Sequence, residues 1–239
     1  MRALRLLALG LGIVALVLLV ASGPVTRAGL WSWQAGLRAF SWAAYAGIAA
    51  AGLGLVLSLL AAVPRWRPGA WMAVAALCAG VVAAAPPILL LEKAKSVPPI
   101  HDITTDPFNP PGFVALRGAR AASPNGTVYG GVGIASQQQK GYPDIKPAIV
   151  KASPAEAMQH AIDAARACGW EVIASDAAAG RLEATDTTAW FGFKDDIVVR
   201  IQAEPSGGSR VDVRSVSRVG ESDVGANAAR VREFLSRLA

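Results

Sequence analysis

The sequence predicts an α+β protein: two or three transmembrane helices, then a small antiparallel sheet domain with helices on one face. Three observations carry this expectation. Residues 6–26, 39–64 and 68–91 contain no charged side chain, and a helix crossing the hydrocarbon of a bilayer needs about 20 apolar residues. Prolines then crowd abruptly into residues 98–111. From Ala148 onward, strand and helix patterns succeed one another in the order β-α-β-β-β-β-α.

Dividing the net charge of +6 shows where it belongs. Residues 1–95 hold eight Lys/Arg against one acid, whereas residues 96–239 hold fifteen against sixteen. The basicity therefore sits beside the apolar runs, where cations flanking spans are expected. A folded domain of net charge −1 has no basic surplus for nucleic acid, which is excluded as a partner class.

The spans are expected at about residues 4–22, 42–63 and 70–91 within a helical region 1–95. Glycines and alanines in the second and third suit close helix packing. The first run follows Met1-Arg-Ala-Leu-Arg and precedes Ala21-Ser22-Gly23, so it also reads as a signal peptide. Either way the C-terminal domain is expected outside the cytoplasm. Counting cations on the two sides gives a tie, broken by Arg2 and Arg5 ahead of the first span and by the short Arg65–Arg67 connection. Trp31, Trp33, Phe40 and Trp42 read as an interfacial aromatic belt.

Residues 96–147 are expected to form a proline- and glycine-rich arm lying partly on the domain: the proline density of 96–111 excludes a regular helix there, and 112–147 are Gly- and Gln-rich with few core formers. The domain itself, 148–239, opens with a short strand at 148–150. Ser153-Pro-Ala-Glu156 is a complete helix start: Ser caps, Pro takes the first helical position, and Glu stands three residues after the cap. Met158, Ala161, Ile162, Ala165 and Cys168 follow at helical spacing, and Gly169 ends the run. Two hairpins come next, 170–175 with 181–187 and 197–204 with 210–219. Asp223 or Ser222 caps a last helix whose inner face is Ala228, Val231, Phe234, Leu235 and Leu238. Cys78 and Cys168 lie in different environments and are expected as free thiols, with no zinc spacing.

The stretches His101-Asp-Ile-Thr-Thr-Asp-Pro, Tyr142-Pro-Asp-Ile-Lys-Pro and Trp190-Phe-Gly-Phe-Lys-Asp-Asp are distinctive. So is Ser209-Arg-Val-Asp-Val-Arg-Ser-Val-Ser-Arg-Val-Gly with Asp223-Val-Gly-Ala-Asn-Ala-Ala-Arg-Val-Arg. Together they resemble the bacterial family called domain of unknown function 1499, over about residues 101–238. The resemblance implies a small α+β domain and brings no agreed activity or catalytic residues.

The candidate functional residues fall into three groups. His101, Asp102 and Asp106 in the arm offer a weak metal set, or the acid–base groups of a hydrolase, against a reading in which the aspartates form turn hydrogen bonds. His160 lies on a polar helix face. Gly130-Gly-Val-Gly133 lacks the Lys-Ser/Thr of a phosphate loop and reads as a flexible loop. Lys194-Asp195-Asp196 reads as a strand start, with Lys194 screening two acids.

In the last strand, alternation places Val211, Val213, Ser215, Ser217 and Val219 on one face and Arg210, Asp212, Arg214, Val216 and Arg218 on the other. That second face is expected to be solvated and laced with ion pairs. Its functional alternative is an anion site: Arg214 and Arg218 beside the helix start at Asp223, with Trp190, Phe191 and Lys194 adjoining. As exposed charges, the two arginines are expected to affect stability by roughly 1 kcal/mol or less. The expected partners are membrane lipids and other membrane or envelope proteins, with no cofactor. The rival classes are an extracytoplasmic hydrolase or metal-dependent enzyme built on the His101 arm, and an accessory subunit of a membrane transport complex.

Overall fold

A computed structural model describes residues 1–238, so Ala239 lies outside the described residues. The chain divides into two compact units: Met1–Lys93 with Ala189–Gly192, and Ala94–Thr188 with the remainder.

In the first unit three helices, α1 (Arg2–Arg27), α2 (Trp33–Leu60) and α3 (Ala70–Lys95), are each long and apolar enough to cross a membrane. Each outruns its expected span because helix propensity continues past the uncharged window. α2, for instance, begins at Trp33, where the Ser32 side chain accepts a hydrogen bond from the Ala35 amide at 3.2 Å. Helices apolar on every side gain little by turning one particular face inward, so close van der Waals approach must hold them together. The contacts are correspondingly tight: Ala8, Leu57, Ala73 and Ala76 form one buried cluster. A Cβ added at Gly80 would lie 2.4 Å from the Gly47 carbonyl oxygen and 2.5 Å from the Ala51 amide. Four residues from later in the chain complete the unit. The Trp190 indole seats on Gly23 and donates to the Ser22 hydroxyl at 3.4 Å, and Phe191 meets Phe40 edge-on with ring centroids 5.6 Å apart.

The second unit is a six-stranded antiparallel sheet. In chain order its elements are β1 (Asp102–Thr104), the short α4 (Arg117–Arg120), α5 (Gly131–Gly141), β2 (Ala148–Val150), α6 (Pro154–Ala167), β3 (Glu171–Asp176), β4 (Arg181–Thr187), β5 (Lys194–Ala203), β6 (Ser209–Ser217) and α7 (Ala226–Ser236). The spatial order is β1-β6-β5-β4-β3, and β2 also pairs with β6. One edge of β6 runs along β5, and the other carries β1 opposite Arg214–Val216 and β2 opposite Ser209–Val211.

The hairpins and both terminal helices follow the sequence pattern. Ser153 and Glu156 form the reciprocal capping box, and Gly169 takes the positive φ of 79° that ends α6. The apolar sides of α6 and α7 bury Met158, Ala161, Ala165, Val231 and Phe234 against Leu182, Ile197, Val199, Val211 and Val213 of the sheet. Trp170 stacks on Phe234, centroids 5.0 Å apart. Cys78 and Cys168 are free.

The segment read as an arm is more structured than its composition suggests. Prolines exclude a helix at 98–111, but they leave room for a three-residue strand, and Ile100 and Ile103 are fully buried. Gly130–Gly133, expected as a flexible loop, starts α5, with Gly131 at φ 69° making the turn. What anchors α5 is Gln138, 2% exposed. Its amide accepts from the Thr104 N–H at 3.0 Å and donates to the Thr104 carbonyl at 2.6 Å, standing where a neighbouring strand would pair.

The packing of the helical unit makes a sharp prediction. Gly80→Leu inserts a side chain where no space exists and should destabilise the full chain in detergent by about 1–3 kcal/mol or more. Gly52→Leu, at a position with open space around its Cα, should leave the thermal midpoint nearly unchanged. Equal behaviour of the two variants would show that helix contact at Gly80 is not what holds the unit.

Candidate functional site

The polar side of the sheet, opposite α6 and α7, gathers the candidate residues. Register places Thr185, Asp196, Val216 and Asp102 in one row across β4, β5, β6 and β1, and Glu183, Val198, Arg214 and Thr104 in the next. Alternation therefore brings Asp102 and Asp196 to opposite flanks of Val216. It also sends Asp195 and Asp196 to opposite sides of the sheet, so they are not a carboxylate pair.

This face is not open to solvent. Residues 105–129 fold across it, burying Phe113 and Leu116 against Val198 and Val216. The sequence reading of a solvated arginine stripe is corrected here: Arg214 is 2% exposed. A strand pattern assigns a side chain to a face but carries no information about what covers that face.

Under the cover every charge is matched. Arg214 grips Asp102 through two hydrogen bonds of 2.9 and 2.7 Å, and its guanidinium lies 5.5 Å from the ring centroids of both Phe113 and Tyr129. Asp196, fully buried, accepts from Arg218 at 2.8 and 2.9 Å, from Arg120 at 2.8 Å and from the Thr185 hydroxyl at 2.7 Å. Asp212, also fully buried, accepts from Arg200 at 2.8 Å and from Arg210 at 3.1 Å, and Asp106 bridges the same two arginines at 3.0 and 3.2 Å. Glu183 accepts from the backbone amides of Val114, Ala115 and Leu116 at 2.7–3.1 Å, pinning the entry to α4.

These partners set the protonation states. Burial alone would raise the Asp196 carboxyl, but the hydrogen bonds from Arg218, Thr185 and Arg120 outweigh it and hold the group below its ordinary value. Burial lowers Arg120, with the hydrogen bond to Asp196 opposing it, while the hydrogen bond to Asp196 raises Arg218. Burial and the nearby Asp102 charge push the Tyr129 hydroxyl up to about 12. Carboxylates held ionised by multiple donors are poor proton donors, and bidentate arginines have no fork left for an outside anion.

The remaining candidates are dispersed. The His101 ring approaches the Glu221 carbonyl at 3.1 Å. His160 is exposed. Lys194 opens β5 at an exposed position. Trp190 and Phe191 belong to the helical unit. The N-cap of α7 is Gly225 and not the expected Asp223 or Ser222. Asp223 lies two residues earlier and accepts from the Gly225 and Asn227 amides at 2.7 and 2.8 Å, and burial raises its carboxyl despite those bonds. Among the described residues no three His, Cys, Asp or Glu side chains converge as a metal would require.

A second polar cluster lies on the helix side of the sheet. Asp186 and Asp195 face each other across β4 and β5, an arrangement of like charges that is unfavourable alone. Arg230 of α7 bridges them at 2.8 and 2.7 Å and donates to Asn227 at 2.6 Å. Asn227 in turn bonds both Ser215 and Ser217. Sequence reasoning passed over Arg230 and Asn227. The signal was their three-residue spacing on one helix face, set against two serines in an otherwise apolar strand face.

Fold and site together define a small α+β domain with a charged, covered sheet face, carried behind three helices long and apolar enough to span a membrane. The chain belongs to the family of proteins of unknown function DUF1499, whose model matches residues 102–238. No curated protein and no solved structure matches it. The match begins at the first residue of β1, in keeping with a strand that is integral to the sheet.

Two predictions follow from the burial of these pairs. Arg214→Met strands the Asp102 carboxylate and should destabilise the protein by about 3–5 kcal/mol in urea unfolding, whereas adding Asp102→Asn should recover part of that loss. The double variant proving as unstable as the single one would locate the loss in packing on Phe113. Asp196 has a depressed folded pKa, so its contribution is complete above its ordinary value of 3.8 and is lost as pH falls below it. Asp196→Asn should therefore be less stable near neutrality and show a flatter decline in acid; an unchanged acid slope would assign the transition to other groups.

Proposed function

We propose that this protein is a membrane-anchored binding or assembly module of the bacterial cell envelope, multi-pass in the plasma membrane, presenting its α+β domain on the extracytoplasmic side. The observation that carries the reading is where exposed apolar side chains occur in the domain. Phe108 is 96% exposed, Val128 89% and Val132 87%. All three sit in or beside the segment that covers the sheet. A phenylalanine held almost entirely in water beside Asn109-Pro110-Pro111 is suited to insertion into a partner. Arg210 and Arg218 are engaged by Asp212, Asp106 and Asp196, so the reading rests on this apolar surface and not on an anion site in the arginine face.

One observation favours an enzyme as the second reading. The His101 strand does lie against β6, with Asp102 and Asp196 on either side of Val216. Both carboxylates are gripped by arginine and lie beneath residues 105–129, away from any substrate, which places this reading second.

The test has two arms. A C-terminal reporter that works only outside the cytoplasm should be active. A photo-reactive side chain at position 108 should cross-link one discrete partner in intact cells, and the combined Phe108→Asp and Val132→Asp variant should lose that partner with its thermal midpoint unchanged. Cytoplasmic reporter activity would overturn the topology. Cross-linking at 108 no different from that at an exposed polar position would overturn the binding surface.

A further inference from the structure

The helical unit holds a feature unconnected with the sheet domain. At the end of the bundle where α1 and α3 begin, a cavity of about 340 Å³ is lined by Met1, Arg2, Arg5, Arg65, Trp66, Pro68, Gly69 and Met72. Three arginines face it, and residues 1–91 contain no aspartate or glutamate to neutralise them. The 26-residue helices α1 and α3 both point their N-termini to this end. Each such terminus carries unpaired backbone N–H groups and about half a positive charge.

Arg5 is the built part of the site. It is 2% exposed, its two terminal nitrogens donate to the Pro68 and Trp66 carbonyls, and its Nε is buried with no partner among the described residues. A guanidinium buried beside two carbonyls and no carboxylate keeps an uncompensated positive charge, and such a charge calls for an anion. Arg2 and Arg65 are exposed at the cavity mouth, with the Arg65 guanidinium 4.8 Å from the Trp66 ring centroid. The cavity thus combines fixed cationic donors with the apolar surfaces of Trp66, Pro68 and Met72, at the end of helices whose flanks are apolar.

We propose that this cavity binds a phosphate monoanion or diester, and that its source is the headgroup of an anionic phospholipid. Arg2 and Arg65 grip the phosphate oxygens, Arg5 supplies the buried charge behind them while holding the α2–α3 connection, and Trp66 and Met72 lie along the glycerol and first acyl carbons. A zwitterionic headgroup brings a quaternary ammonium that this wholly cationic rim repels.

The full chain in mild detergent, titrated with phosphatidylglycerol or phosphatidylcholine of the same chain length and observed by native mass spectrometry, tests this. Phosphatidylglycerol should be retained at roughly tenfold lower concentration than phosphatidylcholine, as expected for paired arginine–phosphate contacts. The R2Q/R65Q variant should lose that preference and R2K/R65K should keep most of it, so that a folding defect in the glutamine variant is separated from loss of charge. Equal retention of the two lipids, or an unchanged preference in R2Q/R65Q, overturns the site. Displacement of phosphatidylglycerol by an equal concentration of inorganic phosphate overturns the lipid as the source and leaves free phosphate as the ligand.

Discussion

Asp196 is the point on which the sheet domain depends. It stands in the middle of β5, fully buried, where an unpaired carboxylate would be untenable. Its compensation comes from three separate parts of the chain: Arg218 just past the end of β6, Thr185 of β4 and Arg120 of α4. The first two are neighbours in the sheet. Arg120 arrives only if residues 105–129 cross the face, and it is held there by carbonyls of Asn125, Gly126 and Val216 as well. Charge neutralisation and the covering of the sheet are therefore one event. The apolar contact is small, four residues, so the cover is held by matched charges more than by area.

The edge of β6 imposes the second constraint. Nine residues of one strand template two three-residue strands from distant parts of the sequence. Strands this short do not persist alone; the long partner and the buried Ile100 and Ile103 side chains hold them. The exposed edge of β1 is then closed by a side chain, Gln138, instead of another strand. This satisfies the Thr104 backbone and removes a pairing edge at the same time. The same economy appears in α7, where Arg230 and Asn227 bind the ends of β4, β5 and β6 to one helix.

The helical unit follows a different logic. Its helices meet through glycine and alanine, with backbone atoms close enough that a single added methyl group would collide. Polar side chains appear at its ends, above all Arg5, which ties the start of α1 to the connection before α3. The two units thus illustrate two means of holding elements together, close backbone approach in one and paired buried charge in the other.

Much of this was legible in the chain because the signals are local. Uncharged windows, a capping box at Ser153, alternating strands and the apolar side of α7 each depend on residues near one another in sequence, where steric and hydrogen-bonding preferences act directly. The sheet face of Arg210, Asp212, Arg214 and Arg218 was legible for the same reason, and so was the expectation that carboxylates would meet it. Burial was not. Whether Arg214 faces water or Asp102 depends on a strand 112 positions away, and nothing near Arg214 encodes that partner. The same holds for Gln138, a glutamine in a glycine-rich stretch until Thr104 lies beside it, and for Arg5, ordinary as a membrane-flanking cation until Trp66 and Pro68 enclose it. Sequence by itself determined the three long helices, the two hairpins, α6 and α7, and which way their side chains point, because those follow from covalent geometry and short-range periodicity; β1, α4 and α5 lack such a local signal. Only the tertiary structure decided which charges are buried and with whom, because pairing across long separations, as between Arg214 and Asp102, is settled by the arrangement of the whole chain and not by its neighbours in sequence.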